Sequence, residues 1–152
     1  MNKEYIIMEL IPSHSNEDKG IIVQIQALKL NGLELLERFD YRVNESLVNN
    51  PDLLRIISYD KDMFKYTDTE EELIRDFKKF IGKDKLLIID NFYTRGYLKN
   101  IKNKKESIFD YLNIEYSNDV FDKIKEKYNL EDTNHLVDLL YEALLMEDKV
   151  NV

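Results

Sequence analysis

The chain has 152 residues, enough for one domain with a sizeable core, and its 43% hydrophobic and 11% aromatic content is that of a folded protein rather than a disordered one. Its 22 basic and 30 acidic residues leave a net charge of −8, which opposes phosphate binding over the surface as a whole and leaves room only for a local basic patch. There is no cysteine, so a disulfide framework, a thiolate metal site and a cysteine nucleophile are all excluded.

The first element is Tyr5-Ile6-Ile7-Met8-Glu9-Leu10-Ile11, an apolar run broken only by Glu9 and closed by Pro12-Ser13-His14-Ser15. A run of this length bounded by turn residues reads as a strand covered on both faces, hence central in a sheet. A carboxylate in such a strand is costly unless it has a partner or the strand end is open, so what Glu9 faces is the main functional question. After a polar turn at Asn16 to Gly20, residues 20–30 alternate Val23, Ile25 and Ala27 with Gln24 and Gln26, which predicts a second strand with one face less buried. Asn31-Gly32 is a hairpin signal, and 33–43 follows as a third strand whose polar positions (Glu34, Glu37, Arg38, Asp40) suit an edge.

A short helical segment is expected around Pro51 to Ile57, followed by a loop through Tyr59 to Asp62. Thr69-Glu70-Glu71-Glu72 has capping-box spacing, and the apolar face Leu73, Ile74, Phe77, Phe80, Ile81 predicts a helix that Gly82 stops. Leu86 to Ile89 then reads as a buried strand parallel to the first, reached by a crossover. Residues 91–101 have helical spacing of Tyr93, Tyr97, Leu98 and Ile101. Residues 108–112 fit either a strand or a helical turn. An amphipathic helix is expected over 120–128, and a last helix, capped by Asp132 or Thr133, buries Leu136, Leu139, Leu140, Ala143 and Leu144. Residues 146–152 are expected to fray. No repeat or linker interrupts this order, so one domain over 1–152 is the expectation. No apolar stretch reaches membrane-spanning length and no signal-like segment opens the chain, which gives a soluble, cytoplasmic protein as the default.

This order of elements, with Glu9 on the first strand, Asp90-Asn91 ending the fourth and Asp138 on the last helix, resembles the DEDD 3′–5′ exonucleases, in particular the proofreading, DNA polymerase III epsilon-like domains of bacterial replicative polymerases. The resemblance runs over roughly residues 5–145. It also rests on Leu54 to Met63, on Phe77-Lys78-Lys79-Phe80-Ile81-Gly82 and on Leu86-Leu87-Ile88-Ile89-Asp90-Asn91. It implies an α/β, ribonuclease H-like fold: a mixed five-stranded sheet in the order 3-2-1-4-5, with strand 2 antiparallel, flanked by helices.

The catalytic motifs depart from that pattern. The family's Asp-x-Glu falls on Glu9-Leu10-Ile11, so one acid is longer and the other is replaced by Ile11. Its His-Asn-x-x-Phe-Asp falls on Asp90-Asn91-Phe92-Tyr93-Thr94-Arg95, where only Asn91 is kept and the metal-binding Asp position lies at Thr94 or Arg95. Asp138 matches the acid of the third motif, but Thr133 stands where the family has its His, and His135 is three residues before Asp138 rather than five. The family's reaction uses two divalent cations about 3.5–4 Å apart. Hard cations need several carboxylate oxygens, and here the resemblance leaves Glu9 and Asp138 as metal positions, with Asp90 as a third candidate.

Arg95 with Lys99, Lys102, Lys104 and Lys105 is a candidate nucleic-acid patch, set against the plainer reading of a solvated helix end. The two histidines lack ligand spacing, the four glycines form no phosphate loop, and the tyrosines of the helical stretches read as core rather than base-stacking residues. The expectation is thus a catalytically degenerate exonuclease-like pseudoenzyme acting as a binding or regulatory module on a protein partner, with no cofactor. The alternatives are a residual Mg²⁺- or Mn²⁺-dependent 3′–5′ exonuclease on DNA or RNA, and a nucleic-acid binder that does not cleave. A last expectation concerns Arg95: that it bridges Glu9 and Asp138 in place of lost metals, or else points to solvent.

Overall fold

The computed structural model describes residues 4–44, 64–131 and 136–147. The expected helix at 51–57, the loop at 59–62, the Leu54–Met63 resemblance, the Asp132 or Thr133 cap, Thr133 and His135 lie outside these residues, as do 148–152. Six strands form one sheet: β1 (Glu4–Pro12), β2 (Ile22–Asn31), β3 (Glu34–Val43), β4 (Lys65–Thr67), β5 (Lys85–Ile88) and β6 (Lys105–Ser107). Their order is β4-β3-β2-β1-β5-β6. β1 runs antiparallel to β2 and parallel to β5, with Ile6 opposite Leu86 and Met8 opposite Ile88. The expected five-strand order is therefore present, with β5 and β6 as its fourth and fifth members. One short strand is added: β4 pairs in parallel with Tyr41–Val43. A three-residue Lys-Tyr-Thr strand is too short to carry a periodic signal, which is why sequence reasoning passed over it.

Alternation along β1 divides the core between the two faces of the sheet. Ile6, Met8 and Leu10 face α1 (Glu70–Ile81), meeting Leu73, Phe77, Phe80 and Ile81. Tyr5 and Ile7 face the other way, toward α3 (Ile108–Leu112), α4 (Val120–Tyr128) and α5 (Leu136–Glu147), which bring in Phe109, Ile124, Leu140 and Leu144. Helix α1 is capped as its sequence predicts. Thr69 Oγ1 accepts from the Glu72 amide at 3.2 Å, and the Glu72 carboxylate accepts from the Asp68 amide at 3.2 Å. Gly82 ends it at φ 52°, a left-handed value that costs glycine little, with its N–H bonded to the Lys78 carbonyl.

Several expectations are corrected. The stretch 91–101 is not a continuous helix: only α2 (Thr94–Tyr97) forms, and Leu98 and Ile101 are buried through tight turns instead. The cause is at both ends. The Asn91 side chain binds the amides of Tyr93 and Thr94, and the Asn103 side chain ties the chain to the carbonyls of Gly82 and Asp84, directing it into β6. Residues 108–112 are helical, with Ser107 as N-cap bonding the Phe109 amide. Gln24 and Gln26, expected on a less buried face, are 5% and 2% exposed, because residues of β3 satisfy them. Residues 146 and 147, expected to fray, are helical. Glu147 is still helical and is held by the Tyr128 hydroxyl and by Lys127 at 3.2 Å.

Candidate functional site

Glu9 sits on β1 with the parity of Tyr5 and Ile7, so it faces the side of the sheet covered by α3, α4 and α5. Across the sheet it lies in register with Gln26 of β2, which in turn is opposite Asp40 of β3. The Gln26 amide donates to Asp40 Oδ1 at 3.3 Å. Glu9 has no such relief. The residue keeps some surface at the rim, but its Oε2 is out of solvent and has no hydrogen-bond partner among the described residues. Burial disfavours the charged form and pushes its pKa up from 4.5 to about 8.

The carboxylate opens into a cavity of about 280 Å³ at the C-terminal end of β1. Ile11, Ile89 and Leu136 supply apolar wall, while Tyr93, Tyr116 and Phe121 supply aromatic wall. Tyr116 and Phe121 both lean on buried Phe109, with ring centroids 5.7 and 6.2 Å from it, so the wall is braced by the core. The Tyr93 phenol is raised above its ordinary value mainly by burial, with the Asn91 amide pulling the other way and the Glu9 charge adding to the rise. Asn91 orders this rim: its Oδ1 accepts from the amides of Tyr93 (3.2 Å) and Thr94 (2.9 Å) and from Thr94 Oγ1 (2.7 Å). Thr94, only 3% exposed, thus serves the turn where the family pattern has a metal-binding acid.

The other acids are committed elsewhere. Asp138 on α5 is gripped by Arg38 of β3 through two parallel bonds, Nη1–Oδ1 at 2.7 Å and Nη2–Oδ2 at 3.0 Å. Asp90 is gripped by Arg95 in the same manner, Nε–Oδ1 at 2.9 Å and Nη2–Oδ2 at 3.0 Å. Arg95 therefore does not bridge Glu9 and Asp138. Its side chain is half exposed, because α2 ends after one turn and directs it back along the chain to Asp90. Among the described residues no group of three or more His, Asp or Glu is placed to hold a metal ion. A two-cation site does not fit what is present: one free carboxylate, an isoleucine in place of the second acid, and two aspartates each neutralised by an arginine.

The basic run is dispersed as well. Lys105 turns inward to the carbonyls of Ile101 and Asn103, Lys104 pairs with Glu106 at 3.1 Å, and Lys99 pairs with Asp18 at 3.7 Å. Lys102 is exposed. Sequence reasoning missed Arg38, read as an outward edge residue, and missed the aromatic wall of Tyr116 and Phe121. A signal for Arg38 did exist in the alternation that aligns positions 38, 40 and 42 with Gln24 and Gln26. None existed for the wall, which is assembled from a loop and a helix distant in sequence from Glu9.

A sheet in this order, a central strand carrying Glu9 and a helix carrying Asp138 across its face define an exonuclease-like, ribonuclease H-like fold, and solved structures agree. The chain superposes on the zinc-bound E. coli exonuclease I–single-stranded DNA complex with a TM-score of 0.61, at 11% identity, over 97% of this chain and 40% of that one. Exonuclease I with the inhibitor BCBP gives 0.60 at 9% identity, and the complex of exonuclease I with SSB-Ct gives 0.58 at 10%, each over 97% of this chain and 41% of the other. In sequence, the chain is similar to the PolC-type DNA polymerase III of Bacillus subtilis, 20% identical over 144 residues. That match covers 86% of this chain and 10% of the polymerase, so the chain spans about a tenth of that relative and two fifths of exonuclease I. No protein-family profile matches it.

Proposed function

We propose that this chain is a pseudoenzyme, an exonuclease-like module that keeps the fold, does not cleave, and acts by binding. The observation that carries the reading is the commitment of Asp138 to Arg38, which puts a guanidinium where a metal-holding acid needs a free carboxylate. Releasing Asp138 to a cation costs that bidentate pair and leaves Arg38 with only its longer contact to Asp40 Oδ2, at 3.4 Å, beside the incoming charge. Ile11 adds an apolar group where a hydrated cation needs oxygen. The partners found with exonuclease I, single-stranded DNA and SSB-Ct, make a protein segment or a nucleic-acid strand reasonable candidates for this chain. The acidic surface, at a net charge of −8, favours the protein.

The test is digestion of 3′-labelled single-stranded DNA and RNA in millimolar Mg²⁺ and, separately, Mn²⁺. The expected outcome is no shortening above a no-protein control. Cleavage that disappears in Glu9→Gln overturns the reading in favour of a residual nuclease. The likeness to a DNA-bound structure also supports a second reading, a non-cleaving nucleic-acid binder using Arg95, Lys99, Lys102, Lys104 and Lys105. It predicts DNA affinity that falls steeply with salt and weakens in Lys102→Gln.

A further inference from the structure

We propose that the Glu9 cavity is a binding site for a small organic cation, an alkylammonium or guanidinium head group on a short stem. The inference rests on the binding role above and names the ligand chemistry of that site. The cavity holds a carboxylate whose Oε2 is out of solvent and bonded to nothing among the described residues. A buried carboxylate oxygen left so is costly, and a cationic N–H donor relieves both the charge and the missing hydrogen bond. Among the described residues no Lys, Arg or His lines the cavity, so none of these supplies the donor. Gln26, the in-register neighbour, spends its amide on Asp40.

The walls choose among cations. Tyr93, Tyr116 and Phe121 present aromatic rings beside the carboxylate, and ring faces attract a cation by their quadrupole. Ile11, Ile89 and Leu136 offer apolar contact that suits a hydrocarbon stem and repels a hydrated metal ion. Guanidinium and alkylammonium groups give up water more readily than a divalent metal does, so they tolerate one carboxylate and apolar walls. A volume of about 280 Å³ takes a head group and a few carbons; it is at the lower limit of pockets for drug-sized ligands. The negative charge of the chain draws cations toward it.

Calorimetric titration at about pH 9, where a carboxyl with a pKa of about 8 is ionised, tests this with N-methylguanidinium and n-butylammonium chlorides against their neutral counterparts N-methylurea and n-butanol. At least one cation is expected to bind about tenfold or more tightly than its neutral counterpart, a difference of about 1.4 kcal/mol. Glu9→Gln should remove that preference while the fold is retained by circular dichroism, and Tyr116→Leu should weaken cation binding severalfold. A Gly-Arg-Gly peptide and free spermidine separate the sources. Tighter peptide binding assigns the head group to a partner's side chain, and tighter spermidine binding to a free amine. Equal affinity for cations and neutral counterparts, or an unchanged cation affinity in Glu9→Gln, overturns the inference. That failure is distinct from failure of the binding role, which DNA shortening alone would signal.

Discussion

Two charged side chains on one face of this sheet, Arg42 and Glu9, each have one buried atom, Nη1 and Oε2, without a hydrogen-bond partner among the described residues, and differ in what else the fold gives them. Arg42 on β3 is 1% exposed, yet its Nε and Nη2 both donate to Gln24 Oε1 at 3.0 and 2.8 Å, and its guanidinium lies 4.1 Å from the centroid of the Phe64 ring. Glu9 on β1, on the same face and two strands away, has a buried oxygen with no partner and a cavity in front of it. A buried charge that the fold satisfies at two of its three nitrogens and stacks on a ring is part of the architecture. One that the fold leaves unsatisfied costs stability.

This contrast predicts effects of opposite sign. Arg42→Met should give the largest loss, roughly 1–3 kcal/mol, because it strands the Gln24 amide oxygen in the core; urea denaturation measures it, and a loss under about 0.5 kcal/mol would erase the distinction. Glu9→Gln should do the reverse. The folded-state pKa of about 8 lies above the unfolded value of 4.5, so the folded chain keeps a proton that the unfolded chain releases between those values. The Glu9 contribution to stability is therefore full below about pH 4.5 and is lost as pH rises to about 8, by something on the order of 5 kcal/mol. The Tyr93 phenol facing Glu9, raised above its ordinary value by burial, stays neutral through this window and does not offset it. The variant should lack this decline and be the more stable protein at pH 8; parallel pH profiles for the two would show that Glu9 is solvated after all.

Smaller effects follow from the exposed pairs. Arg38→Ala should cost about 1 kcal/mol, since the Asp138 pair is bidentate but only about two-thirds buried. Smallest is Arg95→Met, where side-chain exposure of 51% keeps the change within about 0.5 kcal/mol by the same measurement. A loss of several kcal/mol there would restore the buried charge bridge that the geometry has set aside.

The sequence by itself determined the frame. The unbroken apolar run of β1, the Asn31-Gly32 turn, the Thr69 cap and the Gly82 stop each act over a few residues, so their consequences can be read locally. The departure of Glu9-Leu10-Ile11 from an acid pair was equally legible. What the tertiary structure decided was which charge meets which. Arg38 and Asp138 are 100 positions apart and meet only because β3 and α5 share a face. Arg95, whose position in sequence allows either a bridge between Glu9 and Asp138 or a solvent-facing side chain, closes instead on Asp90, since a one-turn helix directs it there. Gln24 reads as solvent-facing until Arg42 is set opposite it by the strand register. Charge pairing depends on distances of a few ångströms between side chains remote in sequence, and no local pattern encodes these; only the packed sheet brings such groups together.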